Sequence, residues 1–345
     1  MEERKEITLR HPPRTDHEPA RSPGTTSAAN EWGKVRKLAL RHLHRFVSLE
    51  PKVLKGDDPD AIHDMRVASR RLQQVLDLIF PKPQPREARR LRRTIRRCRR
   101  GLGEVRNCDV LLELVTARLG RKRCPDREAW SNVKQHIEER RSRNSARAVR
   151  KLSKMDMAVF HTRAKEVLDR LKPAAGGDHP EHPSVQPEKL FSEPFPARLA
   201  QALAGVWSDF EKQVAASRRD TSAPSIHAAR IAAKRLRYLL EFVNQFAIPG
   251  SSVALSWLKK IQQHLGDWHD MEVLEEMVID MIAKPEFLRD HLLLALAIEK
   301  LILRNRDTKR GFREKYFRMT QDSATYQGIK IWVEGFLAAP SLPRA

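Results

Sequence analysis

Two segments of eighteen residues carry the same order of cationic side chains. Ile62–Ile79 reads IHDMRVASRRLQQVLDLI and Ile226–Val243 reads IHAARIAAKRLRYLLEFV, identical at seven positions without a gap. On a helix, at 100° per residue, His63, Arg66, Arg70 and Gln74 gather on one face, and His227, Arg230, Lys234 and Arg237 gather on the equivalent face of the second segment. Like charges at such spacings repel by a few tenths of a kcal/mol per pair. A multivalent anion held along the stripe would offset that repulsion. A single stripe is as well explained by a solvated face with acidic neighbours, but its recurrence with one His-x-x-Arg-x-x-x-Arg/Lys pattern favours a ligand. The chemistry expected of these residues is anion binding by charged hydrogen bonds, with Arg71 and Arg235 adjoining the stripes.

Further basic helices surround them. In REARRLRRTIRRCRRGLG the apolar side is Leu91, Ile95, Cys98 and Leu102, and Arg89, Arg93, Arg96, Arg97 and Arg100 cover the rest. Arginine suits the task, because its planar fork holds two phosphate oxygens at once and keeps its proton. Residues 134–154 add Arg140 and Arg147, the stretch SWLKKIQQHLG contributes Lys260 and His264, and a later helix near 300–315 contributes Arg310. Stems of such residues also shield apolar surface, which accounts for part of the set without a ligand.

The elements that must position these groups are helical. In Ile62–Phe80, Met65, Ala68, Leu72, Val75, Leu76 and Ile79 form the opposite, core-facing side. From about Asn30 the pattern stays helical, and strand signals are nearly absent, with three Tyr and no sustained alternation bounded by Asn-Gly or Asp-Gly turns. Residues 1–29 read as a disordered arm rich in Pro, Ser, Thr and charge. Residues 173–198 hold six prolines and two glycines and read as a long loop. Residues 324–345 end in AAPSLPRA and read as a fraying tail. The domain is therefore expected at 30–323, with halves at 30–172 and 199–323.

A second internal match supports that division. Leu102–Glu113 (LGEVRNCDVLLE) and Leu265–Glu276 (LGDWHDMEVLEE) share five of twelve residues at an offset of 163, beside 164 for the first pair. The expectation is a tandem duplication of a helical bundle. Gly103 and Gly266 are expected to close helices at positive φ, and Asp109 and Glu272 to sit just inside the next helix, where a carboxylate suits the dipole or can orient stripe arginines, as supporting and not catalytic groups.

Charge narrows the class of partner. The 345 residues carry 66 Lys and Arg against 44 Asp and Glu, a net charge of +22 with a pI near 10.3. Residues 31–172 carry 38 Lys/Arg against 18 Asp/Glu, whereas residues 199–323 carry 19 against 16. A surplus confined to one half resembles a binding footprint more than a general solubility charge, and its sign implies a polyanion: nucleic acid, polyphosphate or an anionic surface. Aromatic residues make up only 6%, which disfavours base stacking on single strands. No zinc-finger, helix-turn-helix or RNA-motif signature is present. A Gly-x-x-x-x-Gly-Lys-Ser/Thr loop and clustered carboxylates for Mg²⁺ are absent, so no phosphohydrolase chemistry is expected. The pairs His42/His44 and His179/His182 lack ligand spacing, and no metal or cofactor is implied. Three cysteines, none in Cys-x-x-Cys spacing, and an N-terminus without an apolar signal region fit a cytoplasmic setting. No apolar run reaches the ~18 residues of a membrane span.

The paired His-x-x-Arg-x-x-x-Arg/Lys-Arg-Leu segments, each followed by Leu-Gly-x-x-x-x-x-Asp/Glu-Val-Leu, resemble the CHAD domain, the conserved histidine α-helical domain. The likeness spans about residues 30–320. It implies an all-α fold of two similar bundles related by a pseudo-two-fold axis around a basic groove or cavity, non-enzymatic binding of inorganic polyphosphate, and association with polyphosphate granules. By this resemblance His63, Arg66, Arg70 and Arg71 match the first motif, and His227, Arg230, Lys234 and Arg235 the second. Asn107 stands where the family pattern has an acid and His269 where it has Arg, so the ligand contacts are expected from the stripes. MEERKE lacks the alternating Glu-x-Glu-x-Lys pattern of the CYTH-type domain fused to some relatives. Nucleic-acid binding, or an accessory role toward an enzyme of polyphosphate turnover, stays open as the alternative.

Overall fold

The computed structural model describes residues 23–56, 58–170, 194–321, 323–340 and 342, with backbone alone for 23–30. Thirteen helices and no strand occur among them. In chain order they are α1 (Pro23–Ser48), α2 (Glu50–Lys55), α3 (Pro59–Ile79), α4 (Arg86–Gly101), α5 (Gly103–Leu119), α6 (Arg127–Leu152), α7 (Met157–Asp169), α8 (Phe195–Arg219), α9 (Ala223–Asn244), α10 (Ser251–Ile282), α11 (Pro285–Asp290), α12 (Leu292–Thr320) and α13 (Ala324–Ala338).

The helix starts follow from local chemistry. Asp58 accepts from the Ala61 N–H at 2.9 Å and Pro59 opens the first turn, so α3 begins with its free amide capped and its φ preset. Asp156 caps α7 through the Val159 N–H at 2.8 Å in the same way. The apolar side expected of α3 is buried throughout, from Met65 to Ile79. So is that of α4, where Leu91, Ile95, Cys98 and Leu102 all turn inward.

Two apolar cores result. The larger joins α1–α4, α7, α8, α9, α13 and the first half of α10, with Val105 of α5, Ala148 and Leu152 of α6 and Tyr316 of α12; the smaller joins the rest of α5, α6 and α12 to the second half of α10, from Leu274 to Met281. Helix α3 packs on α1, α4 and α9, α9 packs on α8 and α10, and α10 runs on to α5 and α12. The basic stripes of α3 and α9 thus sit where two helices meet near the boundary of the cores.

Several expectations are corrected. Gly103 and Gly266 do not close helices at positive φ: Gly103 is the first residue of α5 and Gly266 lies inside the unbroken α10. The positive-φ glycines among the described residues are Gly56 and Gly250. Helices α4 and α5 are separated only at Leu102, whose φ of −86° and ψ of 0° suit any residue and across which the Leu102 and Arg106 amides still donate to the Cys98 and Leu102 carbonyls. Residues 324–345 do not fray along their length, because α13 buries Ile329, Val333 and Phe336 in the larger core. Those three recur at i, i+4 and i+7, and an apolar stripe needs a partner surface more than it heeds a Pro-rich end. Of the arm expected at 1–29, residues 1–22 lie outside the described residues and α1 already starts at Pro23. Of the loop expected at 173–198, residues 173–193 lie outside them, and Phe195–Arg198 begin α8, with the Phe195 ring 5.2 Å from that of Trp32.

Candidate functional site

Four helices bring cations to one place and a fifth, α10, brings a histidine and an acid. Helix α3 presents His63, Arg66 and Arg70, α4 presents Arg99, α5 presents Arg106, α9 presents His227, Arg230 and Lys234, and α10 presents His269 and Asp270. Arg66 Nη1 donates to the Arg99 carbonyl at 2.7 Å. Arg70 Nη1 donates to the Tyr238 hydroxyl of α9 at 3.0 Å, with its guanidinium 5.8 Å from the ring centroid, and Arg237 lies 5.6 Å from the same ring. Arg237 is held further by Glu241 Oε1 at 2.9 Å and Gln262 Oε1 at 2.8 Å, and Arg99 by Gln73 Oε1 at 2.7 Å. The rings of His227 and His269 stand 5.1 Å apart. An ideal Cβ on Gly103 would meet Arg66 Nη1 at 3.5 Å, so the start of α5 runs close beneath that guanidinium.

The electrostatics show how crowded the cluster is. Burial, reinforced by Arg70 beside each, brings Arg66 and Arg99 down to about 10. Burial also brings Arg230 to about 10, with Asp270 opposing. Lys234 is held well below the usual lysine range by burial and then by Arg230, Arg70 and Arg66. Removing charges from water without matching counter-charges disfavours their ionised forms. Asp270 is the acid that Arg230, Lys234 and Arg106 share, yet burial outweighs them and raises its carboxyl to about 6. The histidines follow the same logic. Burial lowers His63 and His227, with Arg106 and Arg230 next in effect, and lowers His269 to about 3. The buried Nε of Arg230 finds no hydrogen-bond partner. Such an assembly is built to accept negative charge: forked donors converge, and the carboxylates near them, Asp270, Asp77 by Arg99 and the exposed Glu113 on Arg106 at 3.3 Å, are fewer than the cations.

The stripe residues His63, Arg66, Arg70, His227, Arg230 and Lys234 therefore come together, and Arg237 joins them through Tyr238. Other predicted residues do not. Arg71 turns to Glu241 at 3.2 Å, a link between halves at the margin of the cluster. Arg235 pairs with Asp209 of α8 at 3.1 Å, on another side of α9. Arg89, Arg93, Arg97 and Arg100 are exposed on α4, and Arg96, also exposed, reaches the cluster only through its repulsion of Arg99. Arg140 faces Asp280 at 3.7 Å, Arg147 is exposed, and Arg310 faces Asp307 at 3.7 Å. Lys260 lines a hollow with Ser256, Trp257 and Met319. His264 neighbours Lys315 and Asp267, and it too lies apart from the stripes.

Four members of the cluster escaped the sequence reading: Arg99, Arg106, His269 and Asp270. Arg106 and His269 occupy equivalent places in the two Leu-Gly segments, and Asn107 and Asp270 do likewise. Their recurrence was the available signal, and the contacts are not confined to the stripes as expected. Asp109 and Glu272 do not orient stripe arginines either. Asp109 binds Arg141 of α6 at 2.6 Å and Glu272 binds Lys309 of α12, so these acids fasten helix pairs of the smaller core. Among the described residues no group of three or more His, Cys, Asp or Glu is arranged to hold a metal, and His179 and His182 lie outside them. No helix among the described residues is long and apolar enough to cross a membrane.

Comparison with known proteins agrees with this architecture. No curated protein matches the chain. Among solved structures, the CHAD domain from the plant Ricinus communis aligns with a TM-score of 0.54 at 20% identity, covering 91% of this chain and 93% of its own. PptA from Streptomyces chartreusis aligns with a TM-score of 0.59 at 15% identity, covering 84% and 99%. Identities that low show the all-α fold. The sequence itself matches the CHAD domain over residues 37–278, a stretch that contains both stripes, both Leu-Gly segments and every residue of the cation cluster. The chain belongs to the CHAD domain family.

Proposed function

We propose that the cation cluster binds inorganic polyphosphate without turning it over, and that the exposed arginines of α4 extend the contact along the polymer. The observation that carries this reading is the convergence of Arg66, Arg70, Arg99, Arg230 and Lys234, joined by Arg106, against few carboxylates: Asp270 beside Arg230, Lys234 and Arg106, Asp77 near Arg99, and the exposed Glu113 on Arg106. A polymer with one charge per phosphate and no bases matches a site of forked donors that offers no free stacking platform. The Tyr238 ring, the aromatic side chain beside the stripes, is already covered by Arg70 and Arg237. That arrangement disfavours nucleic acid, which would draw affinity from stacked bases as well as phosphates. Membership of the family supports the same ligand. Attachment to polyphosphate granules follows from a polymer-binding surface, and enzymes of polyphosphate turnover are the protein partners such a place would bring near.

The deciding experiment is competition of labelled long-chain polyphosphate against single- and double-stranded DNA at fixed salt of about 0.15 M. The expected result is at least tenfold preference for polyphosphate per mole of phosphate, with affinity falling steeply as salt rises because condensed counterions are released. DNA competing equally per phosphate overturns the reading.

A further inference from the structure

The smaller core has a hollow at the end where α5 passes to α6. It measures about 300 Å³, and its walls come from α5, the connection at 120–126, α6, α10 and α12. Leu114, Trp130, Met271 and Leu301 make its apolar floor, and Arg118, Arg121 and Arg123 stand at its rim. None of these three arginines has an ion-pair partner among the described residues. Arg304, also at the rim, is taken by Asp126 at 2.7 Å. One polar side chain lies within. Asn305 is 9% exposed, and its Nδ2 donates to the Met271 carbonyl at 2.7 Å. That bond sets the amide and leaves Oδ1, with no donor among the described residues, as an acceptor at the wall of the hollow. A donor on a ligand can take it up. A second hollow of about 230 Å³ shares Leu114, Arg118 and Arg121 with the first and is bordered by Asp267 and Asp270, whose acids keep phosphate at the arginine end.

We propose that this hollow is a site for a purine nucleotide, with the base among Leu114, Trp130, Met271 and Leu301, its exocyclic amine on Asn305 Oδ1, and its phosphates on Arg118, Arg121 and Arg123. A flat aromatic ring fills an apolar floor, an amine answers the Asn305 acceptor, and a chain of phosphates meets a rim of free arginines. Inorganic polyphosphate satisfies only the last of these. The site adjoins the cation cluster at Asp270 but shares none of its cations, and it does not depend on the reading of that cluster as a polyphosphate site.

The test is calorimetric titration of the full chain with ATP, adenosine and inorganic triphosphate at about 0.15 M salt. ATP is expected to bind at least tenfold tighter than triphosphate, and the exposed pair Arg121→Ser with Arg123→Ser to weaken ATP at least fivefold. Asn305→Leu should bring ATP to the level of triphosphate. Because that change also removes the bond to Met271, Leu114→Trp, which fills the hollow from a half-buried position, should do the same in a protein of unchanged helicity. Arg66→Ala with Arg230→Ala should leave the ratio of ATP to triphosphate unaltered. Triphosphate binding as tightly as ATP overturns the proposal. So does an ATP preference that survives both cavity variants, or one lost in the Arg66/Arg230 pair, which would place base recognition at the central cluster.

Discussion

Replacing Asp270 by Asn should stabilise the empty protein at neutral pH and tighten its hold on polyanion. The carboxyl is raised from 3.8 to about 6 because burial outweighs the attraction of Arg230 and Lys234. Each factor of ten in a protonation equilibrium is about 1.4 kcal/mol, so keeping Asp270 ionised in the fold costs roughly 3 kcal/mol. A carboxyl whose folded pKa lies above its unfolded one destabilises when ionised. That cost is absent below about pH 3.8, grows between there and about 6, and is fully present above. Asparagine resembles the protonated acid and escapes it. Urea unfolding should therefore show Asp270→Asn more stable by up to about 3 kcal/mol at pH 7.5, with the gain shrinking toward zero near pH 4. Removing one like charge from the ligand's path should also tighten polyphosphate by about 1–2 kcal/mol, a factor of roughly five to thirty at moderate salt. By the same sign, wild-type affinity should rise as pH falls from 7.5 through 6, because bound anion favours the protonated carboxyl, and this dependence should flatten in the variant. Equal stability gains at pH 4 and 7.5, or a pH dependence of binding unchanged by the substitution, would refute the reasoning and assign the titration to His63 and His227.

The two stripes should contribute together: Arg66→Ala with Arg70→Ala, and separately Arg230→Ala with Lys234→Ala, should each weaken long-chain polyphosphate at least tenfold, since charged hydrogen bonds contribute roughly 1.5–3 kcal/mol each. The control pair Lys34→Ala with Arg235→Ala should cost less than threefold in the same titration, and an equal loss would mean that only bulk charge matters. Arg141→Met should destabilise by about 3–5 kcal/mol in urea unfolding, because it leaves Asp109, 1% exposed, as an unpaired buried charge. Gly250→Ala should lower stability by roughly 2–4 kcal/mol, since φ there is +83° and the new Cβ would fall 2.6 Å from the Trp332 indole; a neutral effect would show that α13 shifts freely.

What the sequence revealed and what it concealed have different physical origins. Periodicity is local, so the face of α3 carrying His63, Arg66 and Arg70 was legible, as was its repeat in α9. Which arginine of α4 joins them was not. Arg96, Arg97 and Arg100 lie on the same basic surface as Arg99, and only the packing of α4 against α3 selects Arg99. Asp270 looked like one more acid in a helix, because its meaning depends on cations more than thirty residues away in sequence. The two Leu-Gly segments invited one reading for both glycines. Yet one residue, Leu102, separates α4 from α5, whereas α10 runs unbroken through Gly266, with packing on both sides of that point. Asp109 and Glu272 fall at sequence positions suited to helping the stripes, whereas the cations that reach them come from α6 and α12.

The unbroken α10 has a mechanical consequence. Its 32 residues make a rod about 48 Å long, with its first half embedded in one core and its second half in the other. Helices α6 and α12 likewise reach both cores, through Ala148 and Leu152 and through Tyr316, so several continuous rods tie the cores together. The acid that Arg230, Lys234 and Arg106 share, Asp270, sits midway along one of those rods, on α10. A ligand seated beside it touches an element anchored in both cores, so its arrival should be felt at the far ends of both as slower amide exchange.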